Sequence, residues 1–201
     1  MTDAPQKTSW AMVLLLWAAG LGAAAQYGKM SVIYDVLPEH YPQAGASLGL
    51  VVSIVGFVGI FLGVAAGLLV ARIRFRRALL WALWMGAAMS AFQALLPPLS
   101  WMLASPLIEG LSHLGIVVAI PTLIAQLCAP QDRGLALTLW GTFFGVAFAV
   151  LAFLGLPLVK QHGVAALLLV HSAYLAICAL FLSARLKRLN AAAPDSPFSL
   201  R

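Results

Sequence analysis

The stretch Gly67-Leu-Leu-Val-Ala-Arg-Ile-Arg-Phe-Arg-Arg77 predicts the class and the orientation of this chain, because it places a short basic turn between two long apolar segments. Four of the 12 lysines and arginines lie in this turn, at positions 72, 74, 76 and 77. Short loops rich in lysine and arginine remain on the cytoplasmic side of a membrane. The pattern therefore predicts a membrane protein whose arginine turn, residues 72–77, faces the cytoplasm.

The composition leads to the same class. Hydrophobic residues occupy 63% of the 201 positions and charged residues only 9%, with a mean hydropathy of +0.99. A soluble domain of this size could not cover so much apolar surface, and a spanning helix needs about 20 apolar residues. We expect an all-α membrane protein embedded in a lipid bilayer through six transmembrane helices: Trp10–Val36, Ala46–Val70, Ala78–Leu96, Trp101–Leu127, Leu135–Leu158 and Val164–Leu182.

The net charge of +6 does not indicate a nucleic-acid partner. Lysines and arginines flank the apolar segments, where the positive-inside rule and anionic lipids favour them. An even number of spans puts both termini in the cytoplasm, and the basic residues from Arg185 onward agree with that. We predict cytoplasmic tails at residues 1–9 and 189–201, on either side of a transmembrane domain at residues 10–188.

Glycines recur at four-residue spacing in two of the segments. The second segment has Gly59, Gly63 and Gly67, and the fifth has Gly141 and Gly145. This spacing lines one helix face with small side chains, so a neighbouring backbone can approach closely. The two segments occupy corresponding places if the chain consists of two inverted three-helix repeats. We therefore predict that these glycines mediate helix packing.

Glu109 is the most unusual residue of the apolar segments. An ionised carboxylate inside a membrane helix costs about 2.5–3.5 kcal/mol and is functional by default. His113 follows four residues later, on the same helix face. The pair is a candidate for binding a proton or a solute, and the alternative places Glu109 near the outer interface with His113 as a packed polar residue.

The end of the first segment carries a second group of polar residues. Gln26 and Tyr27 lie deeper in the segment and are candidates for lining a cavity. Lys29 and Tyr34 are closer to its end, where such residues commonly anchor to headgroups. We favour this interfacial placement for both; the alternative is that Lys29 attracts an anion or pairs with Glu109.

Two patterns typical of enzymes are weak here. The sequence from Gly45 to Gly49 matches GxSxG, but it opens an apolar helix and no strand precedes it. Ser112 in the fourth segment and His171 in the sixth resemble the Ser–His dyad of rhomboid proteases, although the expected glycine after the serine is His113. No metal-ligand cluster and no cofactor-binding motif is present in the sequence. We therefore predict no catalytic residues, no metal and no cofactor, with a rhomboid-like protease as a minor alternative and His171 as a hydrogen-bonded packing residue.

The arginine turn resembles a loop of the major facilitator superfamily, which has the form G-x-L-x-D-R-x-G-R-R between the second and third spans. Gly67, Leu69, Arg72 and Arg76 match this form. Ala71 replaces the aspartate, Arg74 replaces the second glycine, and Phe75 replaces the first residue of the closing basic pair.

Two further segments carry the same resemblance. The loop from Pro130 to Ala136, which contains Arg133, is similar to the loop between the fourth and fifth spans of this superfamily. The segment from Leu107 to Thr122 resembles the fourth spans of cyanate-transporter-like permeases. The resemblance implies the N-terminal six-helix half of a transporter in a bacterial inner membrane. Such a protein moves a small solute, an anion or a drug-like molecule, with proton coupling as one option.

The departures from the family pattern concern gating and length. Ala71 cannot pair with Arg133, so the charge network that closes the cytoplasmic gate in the family is incomplete here. Transport by this family rocks two six-helix halves around a central site, and the chain supplies one. We expect either a homodimer or a separate second half as partner. The alternative is a remnant or scaffold subunit that does not transport.

Overall fold

A computed structural model describes residues 7–190, and within them all regular structure is helical. This confirms the predicted all-α class. The two tails predicted at residues 1–9 and 189–201 lie largely outside the described residues. The helices are α1 Trp10–Ile33, α2 Leu37–His40, α3 Leu48–Ile73, α4 Phe75–Ala94, α5 Leu99–Leu127, α6 Arg133–Gly141, α7 Phe143–Val150 and α8 Leu156–Asn190, with a π-helical turn at Leu151–Gly155.

The last helix, α8, contains a reversal of the chain at Gly163. This glycine has φ 80° and ψ 173°, which is not helical. A Cβ built on Gly155 would lie 3.5 Å from Leu167 Cδ1, whereas 12 residues of straight helix extend about 18 Å. The chain therefore turns back at Gly163, and the described residues form six long helical stretches. Residues after Leu182, predicted to lie beyond the last span, continue the helix to Asn190.

Four helical stretches in residues 7–190 are long and apolar enough to cross a membrane: Trp10–Ile33, Gly45–Val70, Leu99–Leu127 and Pro130–Leu186. The last of these contains the reversal at Gly163. Helix α4 is 20 residues long but less apolar, since it begins with Phe75-Arg-Arg77 and contains Ser90 and Gln93.

Helix α5 is the centre of the bundle, with α1, α3 and α4 packed against it, while α8 packs on α1 and α4. Two buried apolar clusters fill the bundle. The first cluster includes Leu16, Leu79, Ile120 and Leu182 and lies toward the arginine turn. The second cluster includes Ile33, Leu37, Met102 and Leu168 and lies toward the opposite face. The helices therefore enclose two separate apolar layers along their length.

The predicted packing glycines mostly face open space within this chain. A Cβ added at Gly63, Gly67, Gly141 or Gly145 would meet no atom within 4 Å, and one at Gly59 would reach only Tyr27 Oη at 4.0 Å. Close approaches occur instead at other glycines. A Cβ at Gly110 would lie 2.6 Å from Val58 Cβ, and one at Gly115 would lie 2.7 Å from Ala82 Cβ.

The arginine turn has an unusual backbone at Arg74, which joins α3 to α4 with φ 76° and ψ 124°. This conformation suits glycine and strains other residues by about 1–3 kcal/mol. Arg74 stands at the position where the family loop has its second glycine. The replacement of that glycine by Arg74 therefore places a strained residue in the turn.

Arg74→Gly is expected to stabilise the protein by about 1 kcal/mol, because relief of strain exceeds the greater entropy of glycine in the unfolded chain. Thermal unfolding in detergent measures the change. The matched control is Arg77→Gly in the first turn of α4, where glycine should lower stability by up to about 1 kcal/mol. A loss of stability in both variants would contradict the assigned strain.

Candidate functional site

The buried polar residues form a single layer between the two apolar clusters. On α1 the first cluster ends at Ala23 and the second begins at Met30, and the polar residues lie between them. The same order holds on α4, α5 and α8. We call this set the polar layer. It contains all nine buried polar or charged residues of the described chain: Gln26, Lys29, Ser90, Gln93, Ser105, Glu109, Ser112, His113 and His171.

An ion pair between α1 and α5 is the centre of the polar layer. Lys29 Nζ donates to Glu109 Oε1 at 2.5 Å, and both side chains are 0% exposed. The ammonium also donates to Ser90 Oγ and to Gln93 Oε1, each at 2.8 Å. An ammonium has three N–H groups, so Lys29 is fully hydrogen-bonded.

The carboxylate of Glu109 is bonded at both oxygens. Gln93 Nε2 donates to Glu109 Oε2 at 2.8 Å and to Ser105 Oγ at 2.9 Å. Buried ion pairs require this kind of support, because desolvation costs several kcal/mol per ion and must be offset by attraction and hydrogen bonds. The pair and its amide therefore form a closed, electrically neutral network.

His171 supports this network from α8. Its Nε2 lies 2.9 Å from the Gly22 carbonyl oxygen, so Nε2 carries a proton and donates it. In the neutral ring Nδ1 is then an acceptor, 2.9 Å from Ser90 Oγ. Ser90 Oγ also lies 2.9 Å from the Leu168 carbonyl oxygen, which competes for its hydrogen. His171 thus positions the serine that accepts from Lys29, in agreement with its predicted packing role.

Gln26 contributes the only buried side-chain nitrogen or oxygen without a hydrogen bond among residues 7–190. Ser112 Oγ donates its one hydrogen to the Ala82 carbonyl at 2.7 Å, so it can only accept from Gln26 Nε2 at 2.8 Å. This arrangement leaves Gln26 Oε1 unbonded at a cost of about 1–3 kcal/mol. The oxygen is an open acceptor for water or for an N–H or O–H group of a solute.

The proposed protease dyad does not form. Ser112 is bonded to Gln26 and Ala82, while His171 is bonded to Gly22 and Ser90. The minor prediction of a rhomboid-like site is therefore wrong for this structure. Among residues 7–190, no three His, Cys, Asp or Glu side chains come together in a way that could hold a metal ion.

The polar layer meets the protein surface at Tyr27. The Tyr27 ring is partly exposed and contacts His113 edge to face, with 4.8 Å between ring centroids. Phe144 on α7 lies 5.9 Å from each of these rings. His113 itself is held by a 3.0 Å hydrogen bond from Nδ1 to the Ala23 carbonyl. Tyr27 and Phe144, with the glycine-lined face of α3, form what we call the open face.

The four predicted binding residues all belong to this region: Gln26, His113 and Glu109 lie in the polar layer, and Tyr27 lies at its edge. The favoured interfacial placement of Lys29 is wrong, because α2 and the second apolar cluster cover this end of α1. The alternative placement of Glu109 at the outer interface is also wrong, since its side chain is 0% exposed.

Three polar residues of the layer were not predicted from the sequence. Ser90 and Gln93 stand three residues apart in α4, and Ser105 stands four residues before Glu109 in α5. Residues three or four positions apart lie on one face of a helix. This spacing is the sequence signal that could have identified the three residues. The residues of the predicted cytoplasmic loop motif lie outside the polar layer. Gly67 and Leu69 are in the last turns of α3, Arg72 and Arg76 belong to the arginine turn, and Arg133 Nε donates to the Cys128 carbonyl at 3.4 Å.

These features define a multi-pass helical membrane protein with a buried ion pair in a polar layer. The sequence profile of the Major Facilitator Superfamily matches residues 16–199, and the chain therefore belongs to that superfamily. The chain is 30% identical over 153 residues to the "Niacin transporter NiaP" of Acinetobacter baylyi. That alignment covers 74% of this chain but only 35% of the relative. No solved structure matches the chain.

Proposed function

We propose that this chain is one six-helix half of a transporter that moves a small organic anion together with a proton, using the polar layer as its site. The observation that carries the proposal is the closed Lys29–Glu109 pair, which holds one cation and one carboxylate inside an apolar bundle. Intramembrane ionisable residues typically mark substrate or proton pathways. Gln26 Oε1, the open acceptor of the layer, offers a further contact to the solute.

Charge balance supports coupling of the anion to a proton. A solute carboxylate that pairs with Lys29 would displace Glu109 and leave it buried and unpaired. An unpaired buried carboxylate is costly, and it becomes neutral by taking up a proton. The layer then contains Lys29, the solute anion and a neutral Glu109, so its net charge remains zero. Entry of one proton with each anion therefore separates Lys29 from Glu109 at the lowest cost in free energy.

The proposed topology has six spans with both termini in the cytoplasm of a bacterial cell. Thr8 Oγ1 donates to Asp132 Oδ2 at 2.5 Å and accepts from Ala129 N at 2.9 Å. These contacts put the start of α1 and the α5–α6 connection at the same face of the bundle, as an even number of intervening spans requires. The arginine turn then belongs to the same face, in agreement with the positive-inside rule.

A second six-helix unit is required in this proposal, and we propose that it is a second copy. Alternating access moves two halves around a shared site. The open face carries Gly63 on α3 and Gly145 on α7, both beside empty space. Glycine faces allow close approach of a neighbouring helix in a membrane. Pairing through this face would place the two Tyr27 residues on a common pathway.

Uptake into proteoliposomes tests transport. Niacin is the first probe, because the relative described above is named as a niacin transporter, and other small carboxylates follow. We expect accumulation that increases when the outside is made more acidic than the inside. Protein-free liposomes give the background. Absence of uptake across the panel, from protein that is folded and dimeric, would favour the remnant or scaffold alternative.

Crosslinking tests the homodimer. Gly63→Cys and Gly145→Cys are expected to give dimers with a short bifunctional maleimide in the membrane, because both positions lie on the open face. Phe181→Cys is the matched control, since this side chain is 58% exposed on α8, away from the open face. Equal labelling of all three variants with only monomers recovered would overturn the homodimer.

A further inference from the structure

An apolar groove lies outside the polar layer, between α3 and α4 and above α5. It encloses about 880 Å³, and all the residues that line it are apolar. The groove exists because α3 and α4 each pack on α5 while contacting each other little. Small residues such as Ala66, Ala82 and Gly115 leave room along its floor and walls, and Trp81 and Trp84 border it.

One end of the groove opens at the arginine turn. Ile73 and Ala78 line that end, and they flank Arg74 to Arg77 directly in the chain. Arg72 and Arg77 are exposed and Arg76 is partly exposed. In the described residues, the one ion pair joins Lys29 and Glu109, so Arg72, Arg76 and Arg77 do not have a carboxylate partner there. The end of the groove is therefore strongly positive.

The length of the groove matches one leaflet of a bilayer. Its lining on α3 runs from Leu62 to Ile73, and a helix rises about 1.5 Å per residue, which gives about 16 Å. The hydrocarbon core of a bilayer is about 30 Å thick. An acyl chain that enters at the arginine turn would thus fill the groove to about the bilayer midplane.

We propose that this groove binds an anionic phospholipid, with one acyl chain between α3 and α4 and the phosphate on Arg72, Arg76 and Arg77. Basic sites at the cytoplasmic ends of membrane helices favour anionic headgroups. The three arginines at the end of the groove favour an anionic lipid as its occupant, and a second copy of the chain is the competing outcome of the test.

Quenching by brominated phospholipids tests the site, because Trp81 and Trp84 border the groove. The protein is reconstituted in vesicles that contain either dibrominated phosphatidylglycerol or dibrominated phosphatidylcholine with the same acyl chains. We expect stronger quenching by phosphatidylglycerol, and we expect this excess to decrease in Trp81→Phe and to disappear when Trp84→Phe is added. Trp101→Phe is the control, since Trp101 is 63% exposed but lies at the start of α5, away from the groove.

Two sets of variants separate the headgroup from the acyl chain. Arg72→Gln, Arg76→Gln and Arg77→Gln should each weaken the preference for phosphatidylglycerol about fivefold, whereas Arg185→Gln, an exposed arginine of α8, should not change it. Ala66→Leu fills the groove and should reduce quenching by both lipids. Val64→Leu is its control, because Val64 is 86% exposed and does not line the groove.

Three results would overturn the proposal. Equal quenching by the two lipids would show ordinary solvation by the bilayer. A headgroup preference unaffected by Ala66→Leu would place the phosphate on the arginines without a seated acyl chain. Protection of Trp81 from both lipids, together with crosslinks through this groove, would assign the groove to a second copy. Circular dichroism checks that each variant is folded. If the other variants do not fold, Arg77→Gln alone tests the headgroup preference, because Arg77 is exposed.

Discussion

Lys29→Met is expected to destabilise the protein by about 3–5 kcal/mol, because Glu109 then remains buried without its cation. The substitution also removes the ammonium hydrogens that Ser90 and Gln93 accept at 2.8 Å. The side chain of methionine is similar in length and fits the same space. Thermal unfolding of the purified protein in detergent, followed by circular dichroism, measures the loss.

Two further variants make this result specific. Lys160→Met removes an exposed lysine and should change stability by less than about 0.5 kcal/mol. Lys29→Met combined with Glu109→Met should recover most of the lost stability, because replacing both partners of a buried pair with apolar residues is often neutral. A single Lys29→Met variant with wild-type stability would mean that the buried pair does not form.

Glu109→Gln is expected to reduce solute uptake to the background of protein-free liposomes. The amide can still accept a hydrogen bond from Lys29, but it cannot take up the proton that the proposed exchange requires. Initial rates in proteoliposomes, normalised to the amount of folded protein, measure the effect. A matched control is Glu39→Gln, since Glu39 is an exposed carboxylate of α2 and should leave the rate unchanged.

The double variant distinguishes a transport role of the pair from a purely structural one. If Lys29→Met with Glu109→Met restores folding, it removes both the cation for the anion and the carboxylate for the proton. We expect this variant to be folded and inactive. Uptake at the wild-type rate by the double variant would show that the pair only stabilises the bundle, and the proposed role would have to be abandoned.

The long helices could be located from hydropathy, because hydropathy is a local property of the chain. The predicted ends were less accurate. The first helix ends at Ile33 instead of Val36, since α2 begins as a separate helix with Pro38 in its first turn. The fourth begins at Leu99, two residues earlier than predicted, directly after Pro98. Prolines and short connecting helices moved these boundaries, while the order of the helices followed the prediction.

The candidate site was only partly predictable. Glu109 is conspicuous in any apolar segment, because an ionised group there is costly. Lys29 near the end of its segment favoured a headgroup anchor, and this prediction was wrong because the side chain is 0% exposed. Its partners Ser90, Gln93 and Glu109 are 61, 64 and 80 residues away in the chain. Nothing local to any of these helices indicates which of the others it will meet.

In the arginine turn, some properties follow from the sequence and others only from the packing of the helices. Its charge and its place between apolar segments are properties of the sequence, and they predict the membrane class and the cytoplasmic orientation of the turn. Its strained backbone at Arg74 and the apolar groove beside it arise only when α3 and α4 both pack on α5. Hydropathy and charge act residue by residue along the chain. Burial, pairing and cavities depend on which distant helices come into contact, so they follow from the packed bundle.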